Sequence, residues 1–289
     1  MGRSTIPVDL RNPGQVLACL GFLEAADLLC GPAEGGFDWT GDEVFVLEAE
    51  GAENPVEAVL SFLFEAEARA VAPIGSALRA KEPGVPTDLR EDHCYPCAEP
   101  ATPSALPAIL VGPKGQPLRL EHWADGTRQR DAVKFWAGMG GYSGAALTRD
   151  LLGQLAVCPA AVRAQAAIAP FELSARQSSS FRFDSRGSYV PLDLGFSLNQ
   201  HSAMQVAGYP LVELLAALGL QNARPQMIDK LRYEYGVWET TLPIQLARAC
   251  LGAPNSGVSV RRFVMHLGWP GKEGQARCIL FAEELISHA

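Results

Sequence analysis

Ile6-Pro7-Val8-Asp9-Leu10-Arg11-Asn12-Pro13-Gly14-Gln15-Val16-Leu17 is the stretch on which the fold turns. Ile6, Val8 and Leu10 alternate with polar or small neighbours, as a short strand with one buried face requires. Asn12-Pro13-Gly14 breaks that strand. Asn12 can cap a helix whose first position suits Pro13, because the N–H missing there would have no intrahelical partner anyway. Val16, Leu17, Leu20, Leu23, Ala26 and Leu28 then recur at helical spacing as far as Leu29.

Outward from this stretch, 43–48 predicts the next strand and 55–69 the next helix. Residues 1–81 therefore read as a βαβα unit, compatible with a ferredoxin-like or RRM-like arrangement. Residues 82–107 carry six prolines in 26 positions and read as a Pro-rich connector. Residues 108–289 read as a larger mixed α/β region, either separate from the first unit or continuous with it as one domain. Within it, 108–111 and 117–123 predict a hairpin, 129–136 and 145–157 helical segments, and Leu211 to Gly219 an apolar helix closed by its glycine. The strand-like segments 258–265 and 276–282 end the chain. The fold class that follows is α/β of the α+β kind.

Composition narrows the function classes. Hydrophobic residues are 48% and charged residues 19% of the 289 positions, the balance of a folded globular chain. The longest apolar runs, such as 214–220, fall short of the roughly 18–20 residues a membrane span needs. The N-terminus lacks a signal-peptide h-region, so a cytoplasmic protein is expected. Seven scattered cysteines do not form a disulfide framework. The net charge of −8 is unevenly spread: residues 1–100 hold 6 basic and 18 acidic side chains, and residues 101–289 hold 18 basic and 14 acidic. The C-terminal two-thirds is the part suited to a polyanion.

Cations mixed with aromatic rings suit single-stranded nucleic acid, the cations tracking phosphates and the rings stacking bases. Arg119, His122, Trp123, Arg128, Arg130, Lys134 and Trp136 make such a mixture, diluted by Glu121, Asp125 and Asp131. The glycine cluster that follows, with Gly140, Gly141, Tyr142 and Ser143 at its centre, can offer backbone N–H groups to a phosphate. It lacks the Gly-Lys-Ser/Thr ending of a nucleotide-binding loop. Arg176, Arg182 and Arg186, then Asn199 and Gln200, form a second candidate region. Arg224, Lys230 and Arg232 add a third, with Arg261 and Arg262 beyond. Each group reads equally as an ordinary solvated surface.

His93-Cys94-Tyr95-Pro96-Cys97 places two thiols at zinc spacing, but zinc needs four ligands and no second pair follows. No metal or other cofactor is expected, and Cys94 and Cys97 remain the weak candidate. The five histidines stand in no HExxH pattern, and no Gly-x-Ser-x-Gly elbow occurs. The chain therefore reads as a non-enzyme.

Several segments together carry a family likeness: 6–15 with 18–24; 118–123 with Lys134-Phe135-Trp136-Ala137-Gly138; 193–197; and Tyr209 to Gln221 with Arg224-Pro225. In patches from residue 6 to about 225 the chain resembles the small Cas subunit of type I-U (I-G) CRISPR loci, a divergent relative of the large Cascade subunit. It departs from the family pattern at His122. The resemblance implies a subunit packed with backbone and repeat-handle subunits on a CRISPR RNA, helping to read the PAM or hold target DNA while a transiently bound helicase-nuclease cuts. The alternative is a protein–protein adaptor without nucleic-acid contact, docking through its acidic first hundred residues and the apolar 211–220 helix.

Overall fold

The computed structural model describes residues 1–77, 79, 85–90, 106–113, 117–121, 144–176, 180–187, 207–252, 257–269 and 277–285. Its N-terminal elements are β1 (Gly2–Pro7), α1 (Pro13–Cys30), β2 (Ala33–Asp38), β3 (Val44–Ala49) and α2 (Pro55–Glu65). The unit is thus βαββα, not the βαβα expected. Strand β2 was missed because Gly35-Gly36 looks like a turn. In the sheet those glycines make room: a Cβ on Gly35 would lie 2.5 Å from the Phe45 ring, and one on Gly36 2.4 Å from the Thr240 carbonyl oxygen. The sheet runs β1-β3-β2, with β1 and β2 both antiparallel to β3 and α1 crossing between them.

Helix α2 ends at Glu65, four residues before the expected Arg69, and 67–73 becomes the strand β4 (Glu67–Pro73). Glu, Ala and Arg at 65–69 favour helix locally, but pairing on both sides of β4 overrides that weak preference. Strand β5 (Thr87–Arg90) lies parallel to one side of β4, and β6 (Ala108–Val111) lies antiparallel to the other. β7 (Pro117–Leu120) completes the expected hairpin with β6. This second sheet draws strands from both sides of the Pro-rich segment.

Three helices follow: α3 (Gly144–Ala156), α4 (Ala160–Ala166) and, after the short pair β8 (Ala175–Arg176) and β9 (Ala207–Gly208), α5 (Pro210–Gly219). The chain ends in the order β10 (Gln226–Asp229), β11 (Arg232–Trp238), β12 (Leu242–Pro243), α6 (Ile244–Gly252), β13 (Val260–Gly268) and β14 (Cys278–Glu284). β12 returns to the first sheet beside β2, and β10-β11-β13-β14 form a four-stranded antiparallel sheet of their own.

Helix α1 is the centre of the molecule. Every residue from Pro13 to Ala26 is buried, so it is apolar on all sides, as a helix surrounded by other elements must be. Its length and its mean hydropathy of 1.3 are enough to cross a membrane. Here it packs against α5, α2, α6 and the first sheet, in a core of buried side chains that runs from Ile6 to Ile279. The α1–α5 crossing brings backbone against backbone. A Cβ on Gly21 would lie 1.9 Å from the Leu215 carbonyl oxygen, and one on Gly219 2.1 Å from that of Leu17. α5 ends at Gly219 as expected, but the glycine is not a left-handed terminator: the cap is Leu220, in right-handed helical conformation. The glycine is there for close approach.

Candidate nucleic-acid interface

The 176–186 candidate region is built on a buried polar junction. The Asn12 Oδ1 caps α1 by accepting from Gly14 N–H at 3.2 Å, and its Nδ2 donates to Asp184 Oδ1 at 2.9 Å. Glu213, in the first turn of α5 and fully buried, accepts backbone N–H bonds from Arg182 at 2.7 Å and from Phe183 and Asp184 at 3.0 Å each. A carboxylate buried in this way must be hydrogen-bonded, and it holds 182–184 in a fixed curve. Arg182 sits at φ 70°, the only described non-glycine residue with positive φ.

Arg186 closes the junction. Its guanidinium bonds both Asp184 oxygens, the Glu172 carboxylate at 2.9 Å and the Phe171 carbonyl at 2.7 Å, and lies 3.5 Å from the centre of the Tyr209 ring. Burial works against its charge, but the bonds and charge of Asp184, helped by Tyr209 and Glu172, hold its pKa above the ordinary value. Arg186 thus spends its donors inside the fold, which is a positioning role. Arg176 is exposed on β8. Arg182 runs beside the outer edge of β14, where its carbonyl accepts from Ile279 N–H at 3.1 Å.

Arg119 on β7 lies apart from these, in an open cleft of about 320 Å³ shared with Glu24, Leu28, Leu218 and Gln221. The cleft's buried carboxylate is already satisfied: Glu24 takes two bonds from Arg248, at 2.7 Å each, and one from Asn222 at 3.0 Å. Arg224 sits in the turn after α5, its carbonyl close against Gly252.

Lys230 and Arg232 belong to the C-terminal sheet, whose register brings together residues far apart in sequence. Its inner face carries Tyr233, Tyr235, Phe263 and Met265 into the core, and the Tyr235 hydroxyl donates to the Leu10 carbonyl at 2.8 Å. On the outer face Arg232 pairs directly with His266, and His266 with Phe281. Directly opposed residues of neighbouring strands share a face, so the three form one row across β11, β13 and β14. The His266 and Phe281 rings are stacked, 4.5 Å between centres and 12° from parallel. Phe281 is 52% exposed.

Carboxylates line both sides of the row. Asp229 binds Arg232 at 2.7 Å, Glu234 binds Arg262 at 2.5 Å, and Glu283 lies 3.0 Å from His266 Nε2. At the end of the sheet the Lys230 ammonium lies 5.1 Å from the centre of the Trp269 ring, and Arg277 bonds the Lys230 carbonyl. Helix α6 covers the same face only towards Gly236, where an added Cβ would lie 2.2 Å from the Cys250 carbonyl oxygen. On the half carrying the row, Arg232 and Phe281 are about half exposed.

Of the expected contacts, then, Arg232 stands on this face, Lys230 lies in the turn between β10 and β11 at the end of the sheet, and the Arg182 backbone runs at the β14 edge. Arg119, Arg176 and Arg224 stand elsewhere, and Arg186 is engaged internally. Arg128, Arg130, Lys134, Trp136, Gly140, Gly141, Tyr142, Ser143, Asn199, Gln200, Cys94 and Cys97 lie outside the described residues. Sequence reasoning missed His266 and Phe281 as contacts. The segment 258–265 was visible as strand-like, but only strand register shows that 266 and 281 are neighbours. Among the described residues no group of three or more His, Cys, Asp or Glu could hold a metal ion. Comparison with protein-family models, with curated proteins and with solved structures finds no match to this chain.

Proposed function

We propose that the chain is a non-catalytic, nucleic-acid-binding subunit of an RNA-guided surveillance complex of the Cascade type. The observation that carries the nucleic-acid part is the row of Arg232, His266 and Phe281 on the outer face of the C-terminal sheet, with Arg232 and Phe281 about half exposed and the Lys230–Trp269 contact at the end of the sheet. A cation in row with an exposed ring on an antiparallel sheet suits recognition of phosphates and unstacked bases. The assembly part rests on the resemblance, in patches (6–15 with 18–24; 118–123 with 134–138; 193–197; 209–221 with 224–225), to the small type I-U (I-G) subunit. Two of those segments build α1 and α5, the buried centre of the fold.

The same reading takes the N-terminal unit as ferredoxin-like, supported by the sheet order β1-β3-β2 around a crossover α1. The acidic N-terminal hundred residues face protein neighbours, the backbone and repeat-handle subunits, in the cytoplasm. The cationic sheet faces CRISPR RNA or target DNA, and the helicase-nuclease that cuts is a separate, transient partner. In such effectors guide pairing reads the sequence while the protein reads a short duplex motif and backbone shape.

One feature favours an adaptor role besides. From Ala156 to Ile168 the chain carries a single charge, Arg163, and leaves Val157 80% and Ile168 74% exposed. Such a surface suits protein contact.

The test is to express tagged protein with its neighbouring genes, purify it, and sequence the RNA that accompanies it. Short uniform RNAs sharing a repeat-derived end, together with partner subunits, are expected. RNA-free protein without partners would overturn the proposal.

A further inference from the structure

We infer that the β14 edge of the C-terminal sheet is a base-stacking site for single-stranded nucleic acid, with Phe281 as the stacking residue and Arg182 and Arg232 flanking it. The inference rests on the nucleic-acid reading above and assigns it a ligand class and a place. Phe281 and His266 face each other across neighbouring strands, and their ring separation of 4.5 Å is close to the strand spacing of about 4.8 Å. Both rings therefore stand upright on the sheet, parallel to one another. One face of Phe281 is covered by His266. The other looks out over β14, the edge strand, and leaves the residue 52% exposed.

A flat aromatic face held upright by a parallel neighbour suits a flat ligand. An aliphatic protein side chain gains nothing from that alignment, whereas a purine or pyrimidine extends the stack. Duplex bases are stacked on each other and cannot reach it, so the ligand is a single strand.

Charge lies in the same row at the right scale, and a second cation departs from backbone along the β14 edge. Arg232 is two strand spacings from Phe281 in the same row, about 10 Å, and Arg182 lies along the β14 edge against Ile279. Arg232 and Asp229 are both about half exposed, so their ion pair is weak enough to exchange the carboxylate for a phosphate. The junction at Glu213 fixes the Arg182 backbone in its unusual φ, the point from which that side chain departs beside β14.

The experiment titrates the full chain with a short single-stranded oligoadenylate carrying one fluorescent purine analogue, and with the matching duplex. Phe281→Leu keeps an apolar side chain on a half-exposed position and removes only the ring, so the fold is retained. Expected are binding of the single strand over the duplex, quenching of the analogue on binding, and about a tenfold loss of affinity with loss of quenching in Phe281→Leu. Unchanged affinity and quenching in Phe281→Leu, with Arg232→Glu still weakening binding, would overturn the stacking site and leave the nucleic-acid reading standing. Preference for the duplex would do the same. Absence of binding to either probe would remove both.

Discussion

Glu213→Ala is the substitution whose cost follows most directly from the structure. The carboxylate is fully buried and accepts from three consecutive backbone N–H groups. Arg182 N–H has a second acceptor, the Ser180 hydroxyl at 2.8 Å, so it is not orphaned by the change. The N–H of Asp184, inside the fold, bonds Glu213 Oε1 at 3.0 Å. Leaving that one buried donor unsatisfied costs about 1–3 kcal/mol. A domain's whole stability is about 5–15 kcal/mol, and this is a large share of it. Glu213→Gln retains one acceptor oxygen and turns an N–H donor towards the other site, so its cost falls between wild type and Ala. Urea unfolding followed by tryptophan fluorescence measures both. The expected order is wild type, then Gln, then Ala, with midpoints falling at constant slope. A loss below about 1 kcal/mol for Ala would refute the claim that this carboxylate holds 182–184 in place.

Other outcomes follow from the same geometry. Gly21→Ala gains about 1 kcal/mol of helix propensity but drives a methyl into the Leu215 carbonyl, so a net loss of stability is expected in thermal unfolding. Asn12→Ala removes the α1 cap and the Asp184 bond and lowers stability by about 1–3 kcal/mol, measured in urea. Hydrogen bonding from Arg261 holds the Glu284 carboxyl below its ordinary pKa. Its folded pKa being lower, the stability it adds is present above about pH 4.5 and is lost as pH falls through the lowered value. Arg261→Gln should therefore flatten the acid limb of stability against pH. Burial pushes the Cys19 thiol well up, so thiol reagents should reach it only after unfolding, which mass spectrometry of labelled peptides checks.

Local chemistry made much of the N-terminal half legible. Asn12-Pro13 starts α1 as capping rules require, and the Asn54-Pro55 start of α2 uses the same device, with Asn54 Oδ1 accepting from Glu57 N–H at 3.1 Å. The hairpin of β6 and β7 and the two last strands were also visible as strand-like runs. What stayed hidden depends on residues far apart. Gly35-Gly36 signals a turn until the Phe45 ring and the Thr240 carbonyl are in place, and Gly219 signals a helix end until α1 lies against it. The β10–β11 hairpin was overlooked, though Tyr233 and Tyr235 alternate with Arg232 and Glu234 on opposite faces. At the candidate site the cations Lys230 and Arg232 were found by their type alone. Phe281 has no signal in an apolar run such as Ile279-Leu280-Phe281 until register puts it opposite His266. The converse error is Arg186, a cation by sequence that the fold consumes in Asp184 and Glu172.

The most direct test of nucleic-acid binding by the C-terminal sheet is the salt dependence of single-strand binding by the full chain, compared between wild type and the Lys230→Glu, Arg232→Glu double variant. Each phosphate neutralised on a single strand contributes about −0.7 to the slope of log affinity against log salt. The wild-type slope is expected to be steep, and the double variant's shallower by about 1.4, with affinity lowered at every salt concentration. A slope near zero in the wild type, or a double variant indistinguishable from it, would contradict the account.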